Sequence, residues 1–161
     1  MFEFLKVLSL EQGLALIRIG LGLWWIKSVL HKPYPDFVQG QMADWVVSLG
    51  ENHPIPWFGK MVGGMVDKNR AWFPYFNVAG ELAVGIGLTF GFLTPVALIA
   101  GIFMNVNYMA LAGFRPKNIE VNKAYQCEQG QNWNMIVPQL ALLLTGAWAT
   151  WSLDAALGLF G

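Results

Sequence analysis

Residues 73–93 read FPYFNVAGELAVGIGLTFGFL, an apolar run with a single charged residue, Glu81, near its centre. The run has the length of an α-helix that crosses a lipid bilayer, which needs about 20 apolar residues. A carboxylate in hydrocarbon costs roughly 2.5 kcal/mol or more on insertion scales, so it usually faces the protein interior and pairs with another group. The run therefore predicts a membrane helix with a polar inner face.

Three other apolar stretches of similar length accompany this helix, and polar residues interrupt each of them. They cover residues 13–30, 95–114 and 134–153. The chain is 55% hydrophobic and 12% charged, whereas soluble domains carry about 25% charged residues. We therefore predict an all-α fold, an integral membrane four-helix bundle that forms a single domain over residues 1–161.

Residues 31–72 form a long connection between the first two predicted spans, and its apolar residues recur at helical spacing. The recurring residues are Val38, Met42, Trp45 and Leu49, followed by Trp57, Met61 and Met65. The sequence His53-Pro54-Ile55-Pro56 separates the two sets and breaks any helix. We expect two short amphipathic helices that lie at the membrane surface, where tryptophan rings are favoured.

The charges bear on partners and on orientation. Ten basic and ten acidic residues cancel, so no nucleic-acid partner is indicated. The long connection and the polar connection at 113–133 hold most of the cations, which are Lys32, Lys60, Lys68, Arg70, Arg115, Lys117 and Lys123, against Lys6 on the opposite side. Because cations favour the cytoplasmic side, we expect both connections in the cytoplasm and both termini outside, in a bacterial inner membrane.

Few residues of the chain are suited to hold a cofactor. Cys127 is the only cysteine, which excludes an internal disulfide and a Cys-X-X-Cys redox pair. We expect His31 and His53 to be solvated near the membrane surface, without a second histidine at matching depth, so no bis-histidine haem is predicted. No metal site is predicted either, and the one cofactor contact left open is with a quinone or a lipid.

Counting the helix rise along four antiparallel helices places four polar residues near one depth. They are Arg18, Glu81, Asn105 and Gln139. We predict that Arg18 pairs with Glu81, because an arginine side chain can span the offset between them and pairing lowers the cost of both charges. Two uses of this centre stay open: a structural clamp that fixes helix register, and a site for a quinone head group or a transported proton.

Four motifs, taken in order, give the chain a resemblance to a known family. They are Arg18-Ile19-Gly20-Leu21-Gly22 with Lys32, the run GELAVGIGLTFGFLTP at 80–95, Asn105 with Asn107 and Tyr108, and Asn134 leading to Trp151-Ser152-Leu153-Asp154. The chain resembles the DoxX-like membrane proteins, which include the DoxD-type small subunit of thiosulfate:quinone oxidoreductase. The secondary site candidates are Lys32, Asn107, Tyr108, Asn134 and Asp154 from the resemblance, and Asn77 from its spacing to Glu81.

The resemblance implies a four-helix membrane protein that works with other redox subunits and, in some members, takes part in quinone reduction. From it we expect an accessory membrane subunit of a larger respiratory or photosynthetic redox complex, whose partners are membrane lipids and other membrane proteins. The alternative is a quinone-interacting subunit of the thiosulfate:quinone oxidoreductase type. A proton-coupled small-solute carrier is a third and less favoured function, and whether the chain is itself an enzyme stays open.

Overall fold

The computed structural model describes residues 7–146 and 148–160, so Lys6 and Ala147, which entered the predictions above, lie outside the described residues. Seven α-helices occur in this part of the chain, which confirms the all-α prediction. They are α1 Leu10–Leu30, α2 Met42–Glu51, α3 Pro56–Lys68, α4 Phe73–Phe90, α5 Thr94–Ala112, α6 Tyr125–Thr145 and α7 Leu153–Ala156. A π-helical turn at Phe37–Gln41 leads into α2, and a 3-10 turn at Ile119–Val121 precedes α6.

The four longest helices pack around one apolar core. Helix α1 contacts α4 and α6, and α5 contacts the same two helices, so the four form a closed ring. Each helix contributes a pair of buried side chains to the core, namely Leu21 and Trp25, Val84 and Leu88, Ala97 and Leu98, and Met135 and Leu142. Helices α1 and α4 run antiparallel, since Gly22 lies against Thr89 and Ser28 against Glu81.

Glycines set the distance between α1 and α4. A Cβ atom on Gly22 would overlap the backbone nitrogen of Thr89, and one on Gly85 would overlap the side chain of Ile26. Small residues of this kind let two helix backbones approach closely. The α1–α4 register, and with it the position of Glu81 relative to α1, therefore depends on these two glycines.

The long connection forms two short helices, as predicted, but α3 buries a different face. Helix α2 buries Met42 and Val46 in a second core cluster, together with Val66 of α3. The predicted apolar stripe of α3, Trp57, Met61 and Met65, is exposed. Helix α3 instead buries Gly59, Gly63 and Val66, because its glycines pack against the backbone of α2 at Gly50 and Val47.

The fourth predicted stretch, 134–153, is placed too late in the chain. Helix α6 begins at Tyr125 and ends at Thr145, where Gly146 adopts a left-handed conformation with φ 64°. A glycine in that conformation is a common helix terminator. The polar residues at 125–133 suggested a loop, but they form the first turns of the helix because several of them face a polar interior described below.

Two helices in the described chain, α1 and α5, are long and apolar enough to cross a membrane. Helices α4 and α6 carry more polar side chains, among them Asn77 and Glu81 on α4 and Glu128 and Asn132 on α6. Four membrane crossings and the orientation derived from the cations stay predictions.

The glycine contact between α1 and α4 is testable. We expect Gly22→Ala to lower the free energy of unfolding by about 1–3 kcal/mol, since the added methyl group meets the α4 backbone, which cannot move as a flexible side chain would. Gly20→Ala is the matched control, because Gly20 is exposed on the same helix and has nothing within 4 Å of its Cβ position. Unfolding in detergent micelles measures both; equal stability of the two variants would contradict the close approach.

Candidate ligand cavity

A cavity of 330 Å³ lies at the end of the bundle where α1 finishes and where α2 and α3 cover the long helices. Its polar lining comes from all four long helices and from the turn after α1. The polar residues are Ser28, Lys32, Asn77, Glu81, Asn105, Asn107, Tyr108, Glu128, Gln131 and Asn132. Its aromatic lining includes Trp24, Trp25, Phe37, Trp45, Phe58 and Phe73. Cavities of about 300–1,000 Å³ with apolar walls and a few convergent polar groups are typical of small-molecule sites.

Of the residues that line the cavity, Glu81 has the largest number of side-chain hydrogen-bond and ion-pair partners. Its Oε2 accepts from the Lys32 Nζ at 2.7 Å and from the Ser28 Oγ at 3.2 Å. Its Oε1 accepts from the Tyr108 hydroxyl at 2.9 Å. The Glu81 side chain is 4% exposed and that of Lys32 is 11% exposed, so this is a buried ion pair whose carboxylate has additional hydrogen bonds. Such bonds are what a buried pair requires to offset the loss of hydration.

The Tyr108 hydroxyl, on α5, connects Glu81 to Asn77, a second residue of α4. Asn77 lies one turn before Glu81 on α4, and its Nδ2 donates to the Tyr108 hydroxyl. Tyr108 therefore accepts from Asn77 and donates to Glu81, which fixes the orientation of the phenol and of the carboxylate. The arrangement links α4 to α5 by a chain of oriented hydrogen bonds that ends at a group able to gain or lose a proton.

Lys32 reaches the carboxylate from the turn that follows α1. Its ammonium group also lies over the ring of Phe37, 4.9 Å from the centroid, where a cation–π attraction adds to the ion pair. Tyr34 is in the same turn, and burial, with a smaller contribution from the Glu81 carboxylate, raises the pKa of its hydroxyl. Lys32 and Phe37 thus line the cavity at its α1 end.

Two buried donors among the cavity residues have no hydrogen-bond partner within the described chain. They are the indole Nε1 of Trp25 and the amide Nδ2 of Asn105. A buried donor left unsatisfied costs about 1–3 kcal/mol, and native structures keep few of them. Both residues line the cavity, and a turn of either side chain would bring its buried donor to an acceptor oxygen of a bound ligand.

The predicted Arg18–Glu81 pair is wrong. Arg18 is fully buried, but its Nη2 donates to the backbone carbonyls of Thr150 at 3.2 Å and Trp151 at 2.7 Å. The antiparallel register of α1 and α4 brings Ser28 to Glu81 and Arg18 to Gly91, where a Cβ atom would overlap the guanidinium. Counting residues from an assumed membrane face missed this register, and so placed two clusters at one depth.

Arg18 instead belongs to a second polar cluster at the opposite end of α4. Asp154, 1% exposed, accepts from the backbone N–H groups of Leu93 at 2.7 Å and Thr94 at 2.8 Å. It therefore caps the N-terminus of α5, where a carboxylate is favoured by the helix dipole. Together these contacts tie the C-terminal segment to the α4–α5 turn, a structural use for the Trp151 to Asp154 motif.

The remaining predicted residues divide between the cavity and other places. Asn105 and Asn107 line the cavity with Glu81, although Asn107 is exposed and donates to the carbonyl of Phe103. Gln139 is buried between α5 and α6, where its Nε2 donates to the carbonyl of Met135 and its amide oxygen lies against Gly101. Asn134 is exposed on α6 and is not among the residues that line the cavity.

Four polar cavity residues escaped the sequence reasoning. They are Ser28, Glu128, Gln131 and Asn132. Glu128 and Asn132 are four residues apart and lie on one helix face with Met135, a periodicity visible in the sequence. The pattern was missed because Glu128 and Asn132 both fall within the polar connection at 113–133, which was predicted to lie before the fourth helix.

Over residues 7–146 and 148–160, no group of three or more His, Cys, Asp or Glu side chains is placed to hold a metal ion. His53 is buried rather than solvated, with its Nε2 against the carbonyl of Ala110 at 2.9 Å and its Nδ1 accepting from the Ile55 N–H. Comparison with protein-family models, with curated proteins and with solved structures finds no match to this chain.

A double-mutant cycle tests the pairing of Glu81. We expect Glu81→Gln and Lys32→Met each to lower the free energy of unfolding by about 3–5 kcal/mol, because each leaves a buried partner uncompensated. The double variant should lose much less than the sum, which is the signature of a direct contact.

The control cycle pairs Glu81→Gln with Arg18→Met. These losses should add, because Arg18 lies at the other end of α4 and residues that share no partner are usually additive. Unfolding in detergent micelles measures both cycles. If the stability losses of the Glu81 and Arg18 variants were non-additive, and those of the Glu81 and Lys32 variants were additive, the register of α1 against α4 described above would be contradicted.

Proposed function

We propose that this chain is an integral membrane protein whose cavity binds the head group of a quinone, as a quinone-interacting subunit of a membrane redox complex. The observation that carries the proposal is the Glu81–Lys32 ion pair, joined by Tyr108, on the wall of a 330 Å³ cavity with aromatic sides. The resemblance to DoxX-like proteins, some of which are linked to quinone reduction, is consistent with this function but has no support from the comparisons.

The distribution of charge and apolar surface supports a membrane location. Arg18 on α1 and Glu81 on α4 are buried, so these two charged side chains point away from the outer faces of the long helices. Large apolar side chains cover the outer faces of the long helices, for example Ile17, Leu23, Ile86, Phe90, Ile99, Phe103, Leu140 and Leu144. In water such a surface would associate with other apolar surfaces; lipid solvates it without cost. We infer that all four long helices cross a bacterial inner membrane, with the cavity end toward the cytoplasm.

The cavity chemistry suits a neutral head group with acceptor oxygens. Lys32 is already neutralised by Glu81 at 2.7 Å, so the cavity has no free cation to attract a phosphate or a carboxylate. A turn of the Trp25 or Asn105 side chain would bring its unpartnered donor to a carbonyl oxygen in the cavity. The flat aromatic side chains around them match a planar ring.

The proposed chemistry is the reduction of the quinone to a quinol. A quinone takes up two electrons and two protons, and the two carbonyl oxygens become hydroxyl groups. A partner redox subunit would supply the electrons. The two protons would come from the aqueous phase. Each would first protonate the Glu81 carboxylate, which now accepts from the Tyr108 hydroxyl; Tyr108 would then donate its own proton to the quinone oxygen and take the proton of Glu81 in exchange. Lys32 would pair with the carboxylate again after each transfer.

An accessory subunit that contributes no ligand site is the second candidate. The exposed stripe of Trp57, Met61 and Met65 on α3 favours it, because such a stripe can pack against another membrane protein. This function and the first one share the need for partner subunits, and they differ in whether the cavity binds a quinone.

Quinone binding separates the two functions. We expect a tail-less probe, 2,3-dimethoxy-5-methyl-1,4-benzoquinone, to quench the fluorescence of the cavity tryptophans with a saturable dependence on concentration. Asn105→Ala should raise the Kd of this probe about two- to tenfold, because that change in affinity corresponds to the loss of one hydrogen bond. Asn134→Ala is the matched control, because Asn134 is exposed outside the cavity. Quenching that does not saturate, or a Kd unchanged in Asn105→Ala, would contradict the quinone site and favour the accessory function.

A further inference from the structure

A second, larger depression lies on the outer surface of the bundle between α4 and α5. It has a volume of 700 Å³ and walls that are almost wholly apolar. The walls include Phe76, Ala83, Val96, Ala100, Phe103 and Met104. From Phe76 to Gly87 it follows three turns of α4, about 16 Å at roughly 1.5 Å per residue. It is therefore a groove along the helices rather than a pit, and we call it the α4–α5 groove.

The α4–α5 groove and the cavity meet. Five residues line both spaces, namely Met65, Phe73, Asn77, Asn107 and Tyr108. Asn77 and Tyr108 are the hydrogen-bonded pair that leads to Glu81. The groove and the cavity are therefore adjacent, with hydrogen-bonding walls on the cavity side and hydrocarbon walls along the groove.

We propose that one molecule occupies both spaces: a neutral head group in the cavity and a single isoprenoid or alkyl tail in the α4–α5 groove. The proposal rests on the proposed function for the head group and adds the tail. The five residues that line both spaces place the groove directly beside the head-group cavity, which is the reason for choosing a tail over a partner helix as the occupant. A diacyl phospholipid fits less well, because the ion-paired Lys32 offers its phosphate no free cation.

The walls of the groove are suited to a slender chain. Gly80 faces the thioether of Met104 across the groove, and Ala83 and Ala100 leave its middle open. Methionine adapts its shape to irregular apolar ligands. Ala83 is exposed on α4. A larger apolar side chain at this position would stay outside the core of the bundle. It would fill part of the groove that the tail is proposed to occupy.

The experiment compares two probes at one detergent concentration: the tail-less benzoquinone used above and its 6-decyl derivative. In Ala83→Phe we expect the Kd of the decyl probe to rise about tenfold and the Kd of the tail-less probe to stay unchanged. Ala141→Phe is the control, since Ala141 is exposed on α6, away from the groove; it should change neither Kd. Ala100→Phe blocks the groove from α5 and repeats the test if Ala83→Phe fails to fold.

The outcomes distinguish the tail from the head group. If the tail-less probe binds saturably and the decyl probe binds the groove variants as tightly as it binds the original protein, the tail proposal is wrong and the head-group site stands. If the groove variants weaken both probes equally, they distort the cavity and the tail proposal is again overturned. If neither probe binds saturably, the proposed function itself fails.

Discussion

A carboxylate buried between apolar helices must be neutralised and hydrogen-bonded, and the rest of this structure is arranged around that need at Glu81. Lys32 supplies the opposite charge from outside α1, and Ser28 and Tyr108 supply the hydrogen bonds. Ser28 and Lys32 come from α1 and the turn after it, and Tyr108 comes from α5, so satisfying one carboxylate fixes α1, α4 and α5 relative to one another. The close approach at Gly22 makes the register of α1 and α4 possible.

The two ends of α4 have different uses. At one end, Arg18 and Asp154 bond to backbone groups of neighbouring segments, as a structural clamp does. In the other half of the helix, Glu81 lies on the wall of a cavity. The two uses left open for a single polar centre, clamp and site, thus apply to two separate clusters: the Arg18 cluster is the clamp, and the Glu81 cluster lines the cavity.

Sequence reasoning predicted helices α1 to α5, because long apolar runs and proline breaks are local signals, but it began α6 nine residues late. It also identified Glu81 and Asn105 of the cavity, since polar residues in apolar runs are conspicuous, whereas Tyr108 was a candidate only through the family resemblance. It failed at the partner of Glu81, because the register between α1 and α4 depends on glycine contacts that no residue count contains. It missed Glu128 because amphipathic polar turns at a helix start resemble a loop in composition.

Direct observation of the nitrogen beside the Glu81 carboxylate tests the interaction on which the fold and the site both depend. Solid-state NMR of the protein in lipid, with ¹³C at glutamate Cδ and ¹⁵N at lysine Nζ, reports such proximity through dipolar dephasing. We expect strong dephasing of two glutamate signals, from Glu81 beside Lys32 and from Glu120 beside Lys123. The Glu81 signal should disappear in Glu81→Gln and lose its dephasing in Lys32→Met, whereas the Glu120 signal should keep its dephasing in both variants. Dephasing of the Glu81 signal by ¹⁵N-labelled arginine instead, lost in Arg18→Met, would contradict the structure described above.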